Sequence, residues 1–349
     1  MNVEEFSGSL EEWSAFLERN RGGILQTAEW GAFRRSLGWK ARLFTVGEAG
    51  KPRLQAMVLQ KPLPLGFCFF YAPEGPIVRD GNWNDPENQR AFAMLHEHLK
   101  DLAKQERALF LKVDPHYPAE EFPLDWLSGL GYRDSPEDIQ AAIVAHVDLK
   151  PDEPDILAAM KQKGRYNIRY AERKGVQVRV ASDQKALDDF YSLHEATAKR
   201  QEFTYRNREY FERFREFFME KSDRARFVTA EADGQPVAAI LVTFTGEEAI
   251  YLYGGTAPQD RNLYASYLVQ WAGMREAKRR GCTLYNMTGV SATDDPSEAW
   301  YGLRQFKLKF GAEVLHLVGA RDFPYRRQLY SLFTNADRAR RLIAKRTGL

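Results

Sequence analysis

One run of apolar segments and turns occurs twice in this chain, once in each half, and that duplication constrains the fold more than any other feature. The segment from Leu43 reads LFTVGEAGKPRLQAMVLQKPL and then FFYAPEGPI; the segment from Phe227 reads FVTAEADGQPVAAILVTF and then IYLYGGTAP. Each has an apolar run, a Gly-x-Pro turn (Gly50 and Pro52; Gly234 and Pro236), a second run, and a third run ending in Tyr-x-x-x-x-Pro (Tyr71 and Pro76; Tyr253 and Pro258). Such turns between adjacent apolar runs signal hairpins. In both halves a stretch with helical spacing follows: residues 88–105 with Phe92, Leu95, Leu99 and Leu102, and residues 263–280 with Tyr267, Leu268, Trp271 and Met274. Each leads into a further apolar run, 108–113 and 283–287. Strand, strand, strand, helix, strand thus appears twice, which predicts an α/β protein of two tandem domains.

That element order is the core of the N-acetyltransferase (GNAT) type of acyltransferase fold. The fold ordinarily holds the pyrophosphate of an acyl-CoA in a loop between its fourth strand and the next helix, where glycines let backbone N–H groups approach the phosphates. Here the loops read PIVRDGNWND and PQDRNLYASY, without the R/Q-x-x-G-x-G/A pattern. A CoA donor is therefore disfavoured, and the fold alone does not name the reaction. The prolines and acidic residues of DLKPDEPD, 148–155, suggest a domain boundary. The expectation is a first GNAT-like domain of residues 1–148 plus 321–349 and a second of 149–320.

The bulk properties exclude several alternatives. A chain of 349 residues can bury two cores. A net charge of +2 gives no overall field for nucleic acid, yet the segment from Arg321 onward carries eight Lys/Arg against two Asp. Cys68 and Cys282 lie far apart in apolar runs and read as buried free thiols. The six histidines show no metal-ligand spacing, so no metal is expected. The beginning of the chain is acidic and polar, and no apolar stretch approaches the ~20 residues of a membrane span, which suggests a cytoplasmic protein.

Several segments resemble the Fem family of peptidoglycan cross-bridge aminoacyltransferases: MKQKGRYNIRYAERKGVQV, YLYGGT, YLVQWAGMREAKRRGCTLYNMTG and YGLRQFKLKFG in the second half, LQTAEWGAF and LKVDP in the first. No sustained heptad run is present, so the chain is similar to family members without a coiled-coil arm. The resemblance implies transfer of an aminoacyl group from tRNA to the stem-peptide amine of UDP-MurNAc-pentapeptide or its lipid-linked form, with no cofactor beyond the aminoacyl-tRNA donor and with the acceptor site on the second domain.

It also implies a set of site residues. In TYRNREYFERF, Arg206 and Tyr210 match a pair that contacts the precursor's diphosphate region, and one helical turn would put them on one face. Arg34 and Arg35 follow the Trp30 motif where the family has a further phosphate-binding cation, a lysine, and of the two Arg34 is taken as the match. Phe306 and Lys307 match the family's Phe–Lys pair, with Lys307 placed to stabilise the oxyanion of the tetrahedral intermediate and Phe306 beside the substrate. The alternation of FKLKFG is also that of a plain half-buried strand. Tyr253 matches a substrate-contacting tyrosine; it shares a strand face with Tyr251 by period two, and Gly254 and Gly255 would let a ligand approach the backbone. Asp114 matches a candidate base for the acceptor amine, although Asp-Pro after a strand is also a common turn.

Lys161, Arg165, Arg169 and Arg173 recur every four residues, a stripe suited to a tRNA backbone or to plain solvation. The tail (Leu329, Tyr330, Leu332, Phe333, Leu342, Ile343 among arginines) is suited to anionic membrane lipid or to docking on the first domain. One departure stands out: Asn286 follows Tyr285 where family members often have Asp. Two other readings stay open at this stage, a different GNAT-type acyltransferase and a non-catalytic tRNA- or precursor-binding module.

Overall fold

The computed structural model describes residues 1–349 except Ala49, Phe203, Gly348 and Leu349, and except the side chains of 340–347. The chain forms two compact units, Met1–Ala142 with His316–Leu349, and Ile143–Leu315.

The first unit is built on strands β1 (Asn2–Glu5), β2 (Lys40–Glu48), β3 (Lys51–Pro62), β4 (Cys68–Glu74), β5 (Ile77–Val78), β6 (Ala108–Pro115), β7 (Arg133–Asp134) and β15 (Arg321–Pro324). They form one sheet in the order β1-β2-β3-β4-β6-β15-β7, with β5 beside β3. Helices α1 (Leu10–Arg19), α2 (Ala28–Ser36), α3 (Pro86–Gln105), α4 (Leu124–Gly129) and α12 (Arg327–Thr347) complete the unit. β4 and β6 are parallel and buried at every residue, which explains the apolar runs 68–73 and 108–111, and the charged Glu74, Lys112 and Asp114 are buried with them. α3 begins on an N-cap, Asp85, with Pro86 at its first position, and buries Ala91, Phe92, Leu95 and Leu99. β15 adds antiparallel to β6, so the basic tail returns to this unit. There Lys112 and Asp322 form a buried ion pair at 3.0 Å, and Asp322 also accepts from the Ser135 and Tyr330 hydroxyls, both at 2.9 Å.

The second unit contains β8 (Ile143–Asp148), β9 (Gln177–Ala181), β10 (Ala225–Ala232), β11 (Gln235–Thr245), β12 (Glu248–Thr256), β13 (Leu284–Gly289) and β14 (Glu313–His316). Their order is β14-β8-β13-β12-β11-β10-β9. Helices α5 (Glu153–Ala159), α6 (Gln162–Arg173), α7 (Gln184–Gln201), α8 (Arg208–Arg215), α9 (Asp260–Leu263), α10 (Ala265–Arg279) and α11 (Tyr301–Lys307) surround the sheet. The duplicated order is therefore β2-β3-β4-α3-β6 and β10-β11-β12-α10-β13.

Two boundaries differ from the sequence reading. β8 pairs antiparallel with β13, so residues 143–148 belong to the second sheet, and the proline-rich DLKPDEPD is a connection within that unit from β8 into α5. The return to the first unit comes at His316, five residues before Arg321. FKLKFG is not a strand either: Phe306 and Lys307 end α11, and Leu308–Phe310 continue as a 3-10 turn, so the spacing that decides which residue is buried is helical.

The two sheets open in different places. In the first, β4 and β6 stay paired from Cys68 opposite Ala108 to Glu74 opposite Pro115. β3 and β4 instead separate after Leu59 opposite Tyr71, and buried Gln26 fills the gap, donating to Pro73 O (2.6 Å) and Met57 O (3.2 Å) and accepting from Met57 N (2.8 Å). In the second, β12 and β13 pair only from Glu248 opposite Leu284 to Ile250 opposite Asn286. Beyond those residues the parallel strands diverge into a wedge.

Candidate active site

The wedge between β12 and β13 collects the chemistry of the second unit. α11 ends there with Lys307, whose side chain is only 3% exposed. Its ammonium donates to Gly289 O at 2.7 Å and to Thr288 Oγ1 at 3.3 Å, and lies 5.9 Å from the centroid of the Tyr251 ring. Among the described residues no carboxylate pairs with it. Burial without a counter-charge pushes the amine down to about 7. A buried cation balanced only by a carbonyl, a hydroxyl and a ring face is favourably placed for a developing oxyanion, which would supply the missing charge.

The support for Lys307 comes from β13. Thr288 adopts φ 62°, the left-handed region that a β-branched residue avoids. Asn286 holds it there: its Oδ1 accepts from Thr288 N at 2.7 Å, while its Nδ2 donates to Glu248 Oε1 at 2.9 Å. An ionised aspartate could make the first contact but would face Glu248 with like charge. The Asn at this position is therefore matched to the glutamate across the strand pair. Thr288, Gly289 and Glu248 carry no recognisable pattern in the sequence; the only hint is a glycine closing the strand in YNMTG.

A bulge in β12 corrects the expectation for the tyrosines. Leu241 pairs with Tyr253 but Val242 pairs with Tyr251, leaving Leu252 as an extra residue. The alternation slips there, and Tyr251 and Tyr253 point to opposite faces of the sheet. Tyr251 packs with the core that contains Tyr267 and Trp271 and carries a hydroxyl pushed up to about 12 by burial. Tyr253 lies against His194, Phe211 and Tyr210. The glycines serve packing: a Cβ on Gly254 would stand 2.5 Å from the Tyr251 hydroxyl, and one on Gly255 would stand 2.4 Å from the α7 backbone at His194 N.

On the Tyr253 face, α8 starts later than the sequence suggested. Asn207 is its N-cap, accepting from Tyr210 N at 3.0 Å, so Arg206 lies outside the helix. The pair still meets, because the Arg206 guanidinium sits 5.3 Å from the Tyr210 ring centroid, and the Tyr210 and Tyr253 hydroxyls are 3.4 Å apart. Arg208, Arg213 and Arg215 are each tied to a carboxylate; Arg206 is exposed and, among the described residues, in no ion pair. Its guanidinium is open to an anion.

At the start of the helix after β12, a carboxylate occupies the place where a GNAT fold would receive a pyrophosphate. Asp260 Oδ1 accepts from Ser266 N at 2.7 Å at the beginning of α10. In the first unit Asp85 does the same at α3, accepting from Glu87 N at 2.8 Å and pairing with Arg53 at 3.0 Å.

The comparisons with known proteins agree with this architecture. The FemAB family model matches residues 9–126, 124–235 and 221–338, which together span nearly the whole chain. The chain belongs to the FemAB family. Curated relatives include the Lipid II:glycine glycyltransferase of Staphylococcus aureus (strain MRSA252), 23% identical over 95% of each chain. The same enzyme from S. aureus strain NCTC 8325 is also 23% identical, over 95% of each chain. Among solved structures, FemX superposes with a TM-score of 0.86 at 22% identity, over 95% of this chain and 100% of that one. A tandem GNAT protein from the clavulanic acid biosynthesis pathway gives 0.52 at 15% identity over 82% and 83%. The tandem GNAT-like fold and the aminoacyltransferase class expected from the sequence both hold.

The remaining expected residues of this FemAB protein are distributed as follows. Phe306 packs edge-on to Tyr267 and Phe310 at 5.0 and 5.2 Å, half-buried beside Lys307. Asp114, in the first unit, is 6% exposed and has both oxygens engaged, Oδ2 by the Tyr71 hydroxyl at 2.6 Å and Oδ1 by Glu74 N at 2.5 Å. Burial pushes its carboxyl up to about 7, and its contacts clamp the end of β4 to β6. Arg34 is half-buried with its guanidinium 4.0 Å from the Trp39 ring centroid. On α6, Arg165 turns back to the Ala158 and Met160 carbonyls at the end of α5, whereas Arg169 and Arg173 are exposed, Arg173 lying 5.9 Å from the Tyr166 ring centroid. Lys161 is the N-cap of α6. In the tail, Tyr330 and Phe333 pack on Phe110, and Leu342 and Ile343 lie outside the described side chains. Among the described residues no helix is long and apolar enough to cross a membrane.

Proposed function

We propose that this protein transfers an aminoacyl group from aminoacyl-tRNA to the stem-peptide amine of a lipid-linked peptidoglycan precursor, with the reaction at the β12–β13 wedge. The observation that carries the reading is Lys307, a buried lysine without a counter-charge at the open end of a parallel strand pair. In the reaction the amine nitrogen attacks the ester carbon, and the carbonyl oxygen becomes an oxyanion beside the Lys307 ammonium. That attack forms the C–N bond; collapse re-forms the carbonyl and breaks the ester C–O bond. The tRNA ribose oxygen leaves and is protonated, while the amine gives up its proton. Phe306 lines the approach, and Arg206 with Tyr210 and Tyr253 receives the acceptor's diphosphate.

Three further observations support this choice of substrates. Asp260 and Asp85 each already accept from a helix-start N–H, Ser266 N and Glu87 N, where a CoA pyrophosphate would bind, which favours a donor without CoA and a reaction without a cofactor. The exposed Arg169 and Arg173 fit a polyanionic donor such as tRNA. The curated relatives are glycyltransferases acting on lipid II, which favours the lipid-linked acceptor over UDP-MurNAc-pentapeptide. The test is a transfer assay with a mixed pool of charged tRNAs and each acceptor form, read by mass. A gain of one amino-acid residue on the lipid-linked precursor is the expected result and identifies the amino acid. A gain only on the nucleotide-linked form would overturn the acceptor choice. No gain on either, from folded protein, would overturn the reaction.

A further inference from the structure

We propose that the first unit docks on anionic lipid through the tip of the β3–β4 hairpin together with the outer stripe of α12. The tip is residues 62–67, Pro-Leu-Pro-Leu-Gly-Phe, without one polar side chain. Exposed turns ordinarily use Gly, Pro, Asn, Asp or Ser; Pro62, Pro64 and Gly66 conform, whereas Leu63, Leu65 and Phe67 do not. Leu65 is 85% exposed and sits at φ 60°, where an asparagine would be less strained. Nothing in the turn itself calls for a leucine there.

The α12 helix begins beside this tip. β4 starts at Cys68, whose partner on β6 is Ala108, and the next residue on β6, Leu109, accepts from Tyr325 N and Arg326 N at 3.0 and 3.1 Å. The inner face of α12 is spent on the sheet: Tyr330 and Phe333 lie 5.3 and 5.8 Å from the Phe110 ring centroid, and Phe333 lies 6.4 Å from that of Phe69. Leu332 and Leu329 remain outward, 72% and 36% exposed. Cations surround the leucines. Lys61, Arg107, Arg326 and Arg327 are all exposed at this end. Glu106, the carboxylate among them, is already held by Lys40 at 3.1 Å and Arg42 at 2.7 Å.

Protruding aliphatic side chains ringed by lysine and arginine fit the interface of an anionic bilayer, where the leucines enter the acyl boundary and the cations meet headgroup phosphates. Single-stranded nucleic acid would call for exposed rings, and the one ring at the tip, Phe67, is covered by the Arg107 guanidinium at 4.5 Å from its centroid. A stable dimer would call for a broad apolar face rather than isolated projections. This inference concerns membrane association and does not depend on the aminoacyl-transfer reading.

The test is co-flotation of the full chain with vesicles of phosphatidylglycerol and phosphatidylcholine, against vesicles of phosphatidylcholine alone. The expected result is binding to the anionic vesicles, weakened at high salt. The Leu65→Asn, Leu332→Gln double variant should bind them at least about thirtyfold less, since each leucine leaves apolar surface in water. Asparagine suits the turn and glutamine the helix, so the thermal midpoint of the variant should not fall. Absence of binding by the wild-type chain would overturn the proposal, as would unchanged binding by a folded double variant. Loss of a wild-type dimer in the variant, without vesicle binding by either, would assign the leucines to self-association instead.

Discussion

Lys307 is the residue at which stability and function pull in opposite directions. Its folded pKa, about 7, lies below the ordinary lysine value of 10.5, so between those limits the folded chain binds fewer protons than the unfolded one. Its destabilising effect is fully present below pH 7 and disappears as the pH rises toward 10.5. Replacement by Met, which fills the same space without charge, should raise stability at neutral pH by about 1–3 kcal/mol, as judged by chemical denaturation. The same change should lower kcat by two orders of magnitude or more, as expected when an oxyanion donor is lost. In wild type, kcat/KM should climb as the acceptor amine deprotonates and level off above pH about 7, where loss of the Lys307 proton offsets the continuing gain in free amine. Lys307→Gln should lose that break at pH about 7 and keep rising. A profile in wild type that only rises would instead make Lys307 a proton acceptor.

Arg206 allows a controlled comparison because its neighbours are already paired. Arg206→Ala should weaken precursor binding by roughly 1.5–3 kcal/mol by calorimetry, the cost of removing a charged hydrogen-bonding partner. Arg208→Ala, two residues further along the chain but tied to Asp188 and Glu212, should leave that affinity unchanged. Equal losses in the two variants would mean that the effect is general to the surface charge of α8.

At the scale of elements, α6 divides its arginines between structure and surface. Arg165 satisfies carbonyls at the end of α5, so its removal should cost stability. Arg169→Ala with Arg173→Ala should instead weaken tRNA binding and lower the slope of log affinity against log salt by about 1–2, the number of phosphate contacts removed. An unchanged slope would place the donor elsewhere. The sequence made the elements of this fold readable through periodicity, because each half repeats three strands, a helix and a strand with turns at matching places. It made the chemistry of the wedge only partly readable. Lys307 is visible through its family motif, but the bulge at Leu252 is not, since two tyrosines at period two look co-facial until an unpaired residue reverses one of them. Thr288 is equally silent, and Asn286, visible as a departure from the family pattern, gives no sign of what it does, because both roles come from a left-handed turn that three ordinary residues do not announce. Gln26 illustrates the same limit in the first unit: one polar residue inside LQTAEWGAF completes the hydrogen bonding of two separating strands, a long-range task.

For the whole molecule, the repeat has diverged in what each copy does with its parallel strand pair. The second copy leaves β12 and β13 open beyond Ile250 and places a lysine in the gap. The first keeps β4 and β6 zipped to Glu74 and Pro115, and then draws the distant C-terminal strand β15 onto the outer side of β6. The anchor for that return is the Lys112–Asp322 pair, with side chains 7% and 1% exposed. An amine so enclosed has lost most of its hydration, and removing its carboxylate leaves a buried charge whose cost is about 3–5 kcal/mol. Asp322→Ala should therefore loosen β15 from β6, and hydrogen exchange should quicken at Phe110–Val113 and at the amides of residues 321–323 while the β11 amides keep their protection. Lys112→Met in the same chain removes the stranded charge and should restore most of the protection. Failure of the second change to rescue the first would show that the tail is held by its aromatic packing on Phe110 and not by the ion pair.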